Sequence, residues 1–137
     1  MRIAVCDDCR QDACTLRDML PGQEVKLYGN AESLLADVEQ GGKHFDLYLL
    51  DIFMENSMNG IELAEKLRAG DEAAAICFVS TSDDFYREAY DLYAIQYLIK
   101  PVGREELNKL LDKVEKIVLR NREKTLRYSW RRASGAI

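Results

Sequence analysis

The sequence predicts an α/β domain in which a five-stranded parallel sheet is covered on both faces by five helices. Three observations lead there. Five short runs are too continuously apolar for half-exposed strands, segments of helical period separate them, and Gly, Pro or Asp stands at nearly every junction. With 137 residues, 47% hydrophobic and 31% charged, the chain has the length and composition of one globular core.

Residues 2–6 are aliphatic with a Cys and stop at the acid pair Asp7-Asp8, which makes them a buried strand. Residues 11–20 place Ala13, Leu16, Met19 and Leu20 at helical spacing before Pro21-Gly22. Residues 24–28 form the second strand, and residues 31–40 a helix with Leu34, Leu35 and Val38 on one face, stopped by Gly41-Gly42. The third strand, from Phe45, ends at Asp51. Asn59-Gly60 opens a helix with Ile61, Leu63, Ala64 and Leu67 inward, closed by Gly70. Residues 76–79 are a fourth strand running into Ser80-Thr81-Ser82, residues 83–93 a fourth helix, and residues 95–99 a fifth strand ending at Lys100-Pro101. From Arg104, Leu107, Leu110, Leu111, Val114, Ile117 and Val118 mark one face of a long helix, with Glu105/Lys109 and Asp112/Lys116 pairing four apart.

No apolar run reaches membrane-spanning length and no signal-peptide pattern opens the chain, so the expected location is the cytoplasm, without membrane contact. There Cys6, Cys9, Cys14 and Cys77 stay reduced. Cys6 and Cys9 have redox-pair spacing, but acids lie between them, and a zinc site lacks further ligands, His44 being far along the chain. The net charge of −5 hides a basic end: Arg120, Arg122, Lys124, Arg127, Arg131 and Arg132 face a single acid, Glu123. An acidic body does not bind nucleic acid by itself. Residues 1–119 are therefore expected to form the domain, and residues 120–137 a basic linker or the start of a C-terminal output domain. Within them Leu126, Tyr128 and Trp130 alternate with polar residues at strand-like period.

In a doubly wound sheet, ligands bind beyond the carboxyl ends of the strands. That rule gathers Asp7, Asp8, Asp51, Ser80 and Lys100. Converging carboxylates suit a hard cation with open positions, Mg²⁺ above all. Lys100 and Ser80 supply the charge and the donor that a phosphoryl group needs opposite it. Asp51, on the most central strand, is the natural nucleophile and would form an aspartyl phosphate.

At this point the chain resembles the receiver domain of two-component response regulators. The resemblance covers roughly residues 2–119 and rests on Asp7-Asp8, Asp51, Asn59-Gly60-Ile61-Glu62-Leu63, Phe78-Val79-Ser80 and Tyr97-Leu98-Ile99-Lys100-Pro101. Around Ala89-Tyr90 and the last of these motifs it is most similar to receivers attached to LytTR-type DNA-binding domains. The resemblance implies a flavodoxin-like fold with strand order 2-1-3-4-5, an order that serves as a general example of such sheets. It makes Asp51 the phosphoacceptor for a sensor histidine kinase. It implies Mg²⁺ on Asp7, Asp8, Asp51 and the Phe53 main-chain carbonyl, with Lys100 as the phosphate-pairing amine. Ser80 and Tyr97 become the switch pair, and the Lys100-Pro101 peptide is expected cis. The output is expected through the face of the fourth helix, fifth strand and fifth helix, as a homodimer or a released DNA-binding domain. The protein would catalyse nothing beyond its own phosphorylation and dephosphorylation; the alternative is a Mg²⁺-dependent phosphatase or phosphotransferase.

This sequence departs from the family in three places. The Asp51–Gly60 loop is one residue longer, with Glu55 where Pro is usual; Thr81 replaces a small residue; and Phe53 puts a ring at the mouth of the site. Phe53 and Thr81 are expected to restrict the attacking water and prolong the phosphorylated state. Tyr86, Tyr90 and Tyr93 form a second stripe on the fourth helix, read as a partner surface beside Tyr97.

Overall fold

The computed structural model describes the backbone of residues 1–133 and the side chains of residues 1–124. Strands and helices alternate: β1 (Arg2–Cys6), α1 (Arg10–Asp18), β2 (Glu24–Tyr28), α2 (Ala31–Glu39), β3 (Leu47–Asp51), α3 (Gly60–Gly70), β4 (Ile76–Ser80), α4 (Tyr86–Asp91), β5 (Gln96–Ile99) and α5 (Arg104–Ala133). All strand pairs are parallel and the sheet order is β2-β1-β3-β4-β5, as the resemblance implied.

Alternation along each buried strand divides the core in two. Ala4, Cys6, Tyr48, Leu50, Ile76 and Phe78 face α2, α3 and α4, where they meet Leu34, Leu63, Leu67 and Ala89. Ile3, Val5, Leu47, Leu49, Cys77 and Val79 face α1 and α5 and meet Leu16, Leu107, Leu110 and Val114. Each such Leu or Val contributes about 1.5–3 kcal/mol through burial, which locks the helices to the sheet. Asn30 and Asn59 cap α2 and α3 by accepting the Ser33 and Glu62 amides.

One expectation needs correction. The fourth helix spans only Tyr86–Asp91 and not residues 83–93. At its start, Ser80 Oγ accepts the Ser82 amide and Ser82 Oγ accepts the Asp84 amide, so local side-chain bonds hold a turn where helix was expected. At its end, Tyr93 takes φ +56°, its amide bonds to Tyr90 O and the Ala94 amide to Ala89 O, a Schellman stop built on a non-glycine residue. Tyr93 therefore leaves the helical stripe expected of it. Residues 125–131, whose alternation has a strand-like period, continue the backbone of α5. An alternating pattern becomes a strand only with a partner edge, whereas extending an existing helix satisfies one hydrogen bond per residue.

Candidate functional site

β3 lies at the centre of the sheet, and its last residue, Asp51, is 6% exposed. β1 alongside it is followed directly by Asp7, 3% exposed, and then by exposed Asp8. Asp7, Asp8 and Asp51 each offer a carboxylate oxygen within 4.8 Å of the others. Opposite them, Lys100 leaves the end of β5 and places Nζ 2.8 Å from Asp7 Oδ2, 2.9 Å from Asp12 Oδ2 and 3.7 Å from Asp51 Oδ1. The Lys100-Pro101 peptide beside it is cis, as expected.

The electrostatics follow from that crowding. Burial first, then the charge of Asp7, push the Asp51 carboxyl up to about 7, with Lys100 opposing the rise. Burial alone would depress the Lys100 ammonium, but its bonds to Asp7 and Asp12 and the charge of Asp51 outweigh burial and raise it. Three oxygen donors, two of them buried and one open to solvent, fit a hard divalent cation that keeps positions for water and another oxygen ligand.

Backbone geometry brings the remaining parts to the same end of the sheet. The Gly60 amide donates to Ile52 O at 2.8 Å, and a Cβ on Gly60 would lie 2.1 Å from Asp51 O, so α3 can start against β3 only with glycine there. The loop between β3 and α3 is pinned at both sides: Glu55 N donates to Asp8 Oδ2, and Glu32 accepts from Ser57 Oγ and the Met58 amide. Asn56 in this loop takes φ +54°. Phe53 is half exposed and rests edge-on against Phe85, ring centroids 5.3 Å apart, bridging the loops that follow β3 and β4. Thr81 lies on another flank, lining a cavity of about 360 Å³ with Asp12, Lys100 and Pro101.

Ser80 is fully buried at the end of β4, and half-buried Tyr97 donates its hydroxyl to Ser82 O. Ser82 thus holds both expected switch residues, Ser80 through its amide and Tyr97 through its carbonyl. Tyr86 packs on Tyr97 with centroids 4.5 Å apart, whereas Tyr90 and Tyr93 are 81% and 82% exposed.

The model of the response regulator receiver domain matches residues 3–112. The chain belongs to this family. As a receiver it is a phosphorylation-dependent signalling module. It is 33% identical over 84 residues to the sensory transduction protein LytR of Staphylococcus epidermidis, covering 60% of this chain and 33% of that protein. It is 35% identical over 71 residues to the positive alginate biosynthesis regulatory protein of Pseudomonas aeruginosa, covering 52% of this chain and 28% of that one. The receiver therefore spans about a third of the curated relatives it matches. Among solved structures, the response regulator TrrA of Thermotoga maritima in complex with Mg²⁺-BeF is 26% identical with TM-score 0.72, covering 82% of this chain and 97% of that one. A CheY-like receiver from Methanospirillum hungatei is 26% identical with TM-score 0.77, covering 87% and 97%.

Of the residues singled out in the receiver's sequence, Asp7, Asp8, Asp51, Ser80 and Lys100 lie at the carboxyl ends of the strands, whereas Tyr97 lies within β5 and bonds through its hydroxyl to the loop after β4. Phe53 follows directly after β3. Sequence reasoning missed Asp12, Ser82 and Glu32. Asp12 had a readable signal, since a helix beginning just after Asp8 must carry its first turn over the site. The cysteine pair stays apart in role: Cys6 is buried with its thiol pushed up to about 12 by burial and then by the acid cluster, and Cys9 is exposed. Among the described residues, no helix is long and apolar enough to cross a membrane.

Proposed function

We propose that Asp51 is the phosphoacceptor of this receiver, with Asp7 and Asp8 as cation ligands and Lys100 as the amine that pairs with the bound phosphoryl group. The observation that carries this reading is the meeting of three carboxylates within 4.8 Å beside a half-buried lysine at the end of the central strand. Mg²⁺ is the cation the donor set suits best, with the Phe53 carbonyl as a further ligand, and when bound it would neutralise charge on the phosphoryl oxygens. Asp51 Oδ attacks the phosphorus of a phosphohistidine on a sensor kinase. The new O–P bond forms as the P–N bond breaks, and the imidazole nitrogen leaves with its electron pair. Hydrolysis later returns the carboxylate and inorganic phosphate. Both steps are self-catalysed by the residues around Asp51.

Readout begins at Ser80. A hydroxyl that turns toward a phosphoryl group gives up the Ser82 amide, and Ser82 O is the anchor of Tyr97. Loss of that anchor frees Tyr97 and Tyr86, and with them the α4–β5–α5 face bearing Tyr90. We read that face as the output surface, for a homodimer or for a C-terminal DNA-binding domain of LytTR type reached through residues 120–137. Residues 1–119 are the switch, and the cytoplasm is its place of action.

Incubation with Mg²⁺ and acetyl phosphate, followed by intact mass, tests the reading. One phosphate adduct, labile to hydroxylamine and absent in Asp51→Asn, is expected. Turnover of a phosphomonoester without an adduct would instead support a phosphatase.

A further inference from the structure

We infer that Asp12 is a positioning residue that competes with the phosphoryl group for Lys100, and so sets how tightly this receiver holds its activated state. The inference rests on the phosphoacceptor reading of Asp51. Asp12 lies in the first turn of α1, with its side chain 45% exposed and Oδ2 2.9 Å from Lys100 Nζ. The same nitrogen is 3.7 Å from Asp51, so the ammonium sits on the α1 side of the site and not over the phosphoacceptor.

Asp7 also holds Lys100, at 2.8 Å, but Asp7 is a proposed cation ligand. With a cation bound, Asp7 would be engaged as its ligand, and Asp12 and Asp51 would share the ammonium. A phosphoryl group on Asp51 must then pull Lys100 away from Asp12. Breaking that pair lowers the net gain from each Lys100–phosphoryl contact. Because Asp12 is half exposed, its pull is moderate and the exchange stays reversible. The side chain needs no contact with the phosphoryl group itself; it acts through Lys100.

Binding of beryllofluoride at saturating Mg²⁺, followed by ¹⁹F NMR, reads this competition without any turnover. Asp12→Asn is expected to bind about three-fold more tightly than wild type, the effect of losing one partly exposed ion pair. Asp12→Glu, which keeps the carboxylate, should return to wild-type affinity. In a Lys100→Ala background the gain from Asp12→Asn should vanish, because nothing remains for Asp12 to hold. Equal or weaker binding by Asp12→Asn overturns the inference, as does a gain that persists undiminished without Lys100. Wild-type protein that binds no beryllofluoride removes the phosphoacceptor reading and takes this inference with it.

Discussion

Replacing Asp51 by Asn should stabilise the metal-free fold, although it removes the proposed phosphoacceptor. In the folded chain the Asp51 carboxyl is raised from 3.8 to about 7, chiefly by burial and by Asp7. Between those values the folded state holds a proton that the unfolded chain has released, so stability falls as pH rises through the window. A shift of about three units, at about 1.4 kcal/mol per unit, sets a ceiling of about 4 kcal/mol above pH 7. The attraction to Lys100 is lost in the variant, which reduces the expected gain to about 2 kcal/mol. Urea unfolding with a chelator should therefore show Asp51→Asn about 2 kcal/mol more stable than wild type at pH 8, with the two converging near pH 4. Saturating Mg²⁺ should close the gap by stabilising wild type more than the variant. A variant no more stable than wild type at pH 8 in chelator would refute the claim that Asp51 is electrostatically crowded.

Other consequences are open to direct measurement. Gly60→Ala should cost about 2–3 kcal/mol in urea unfolding, because the added Cβ meets Asp51 O at 2.1 Å and α3 must move away from β3. Tyr93→Gly should raise stability by about 1 kcal/mol by relieving the positive φ that ends α4; an unchanged or lower midpoint would mean that the ring outweighs the backbone. Phe53→Asn combined with Thr81→Ala should speed loss of the acyl phosphate about five-fold, a barrier change of ~1 kcal/mol, and phosphate release no faster than in wild type would count against water restriction.

Much of the molecule was legible from local pattern. Continuous apolar runs made buried strands, and the residues that ended them, Asp7, Asp51, Ser80 and Lys100, shared one end of the sheet because every strand runs the same way. Asn59 marked a helix start for the same local reason. Periodicity misleads where side-chain bonds or the preceding turn decide the local structure. Residues 83–85 look helical by spacing, but Ser80 and Ser82 capture the amides that helix would use. Residues 125–131 alternate like a strand, yet a strand needs an edge and a helix needs only the turn before it.

Sequence alone, then, determined the fold class and the chemical groups of the site, because hydrophobic period and strand-end residues are local properties. Tertiary structure decided how those groups share their charges. It brought Asp12 onto Lys100 from 88 residues away, tied Ser80 to Tyr97 through Ser82, and crowded Asp51 until its carboxyl resists ionisation. Those are effects of distance and burial, and no spacing along the chain encodes either.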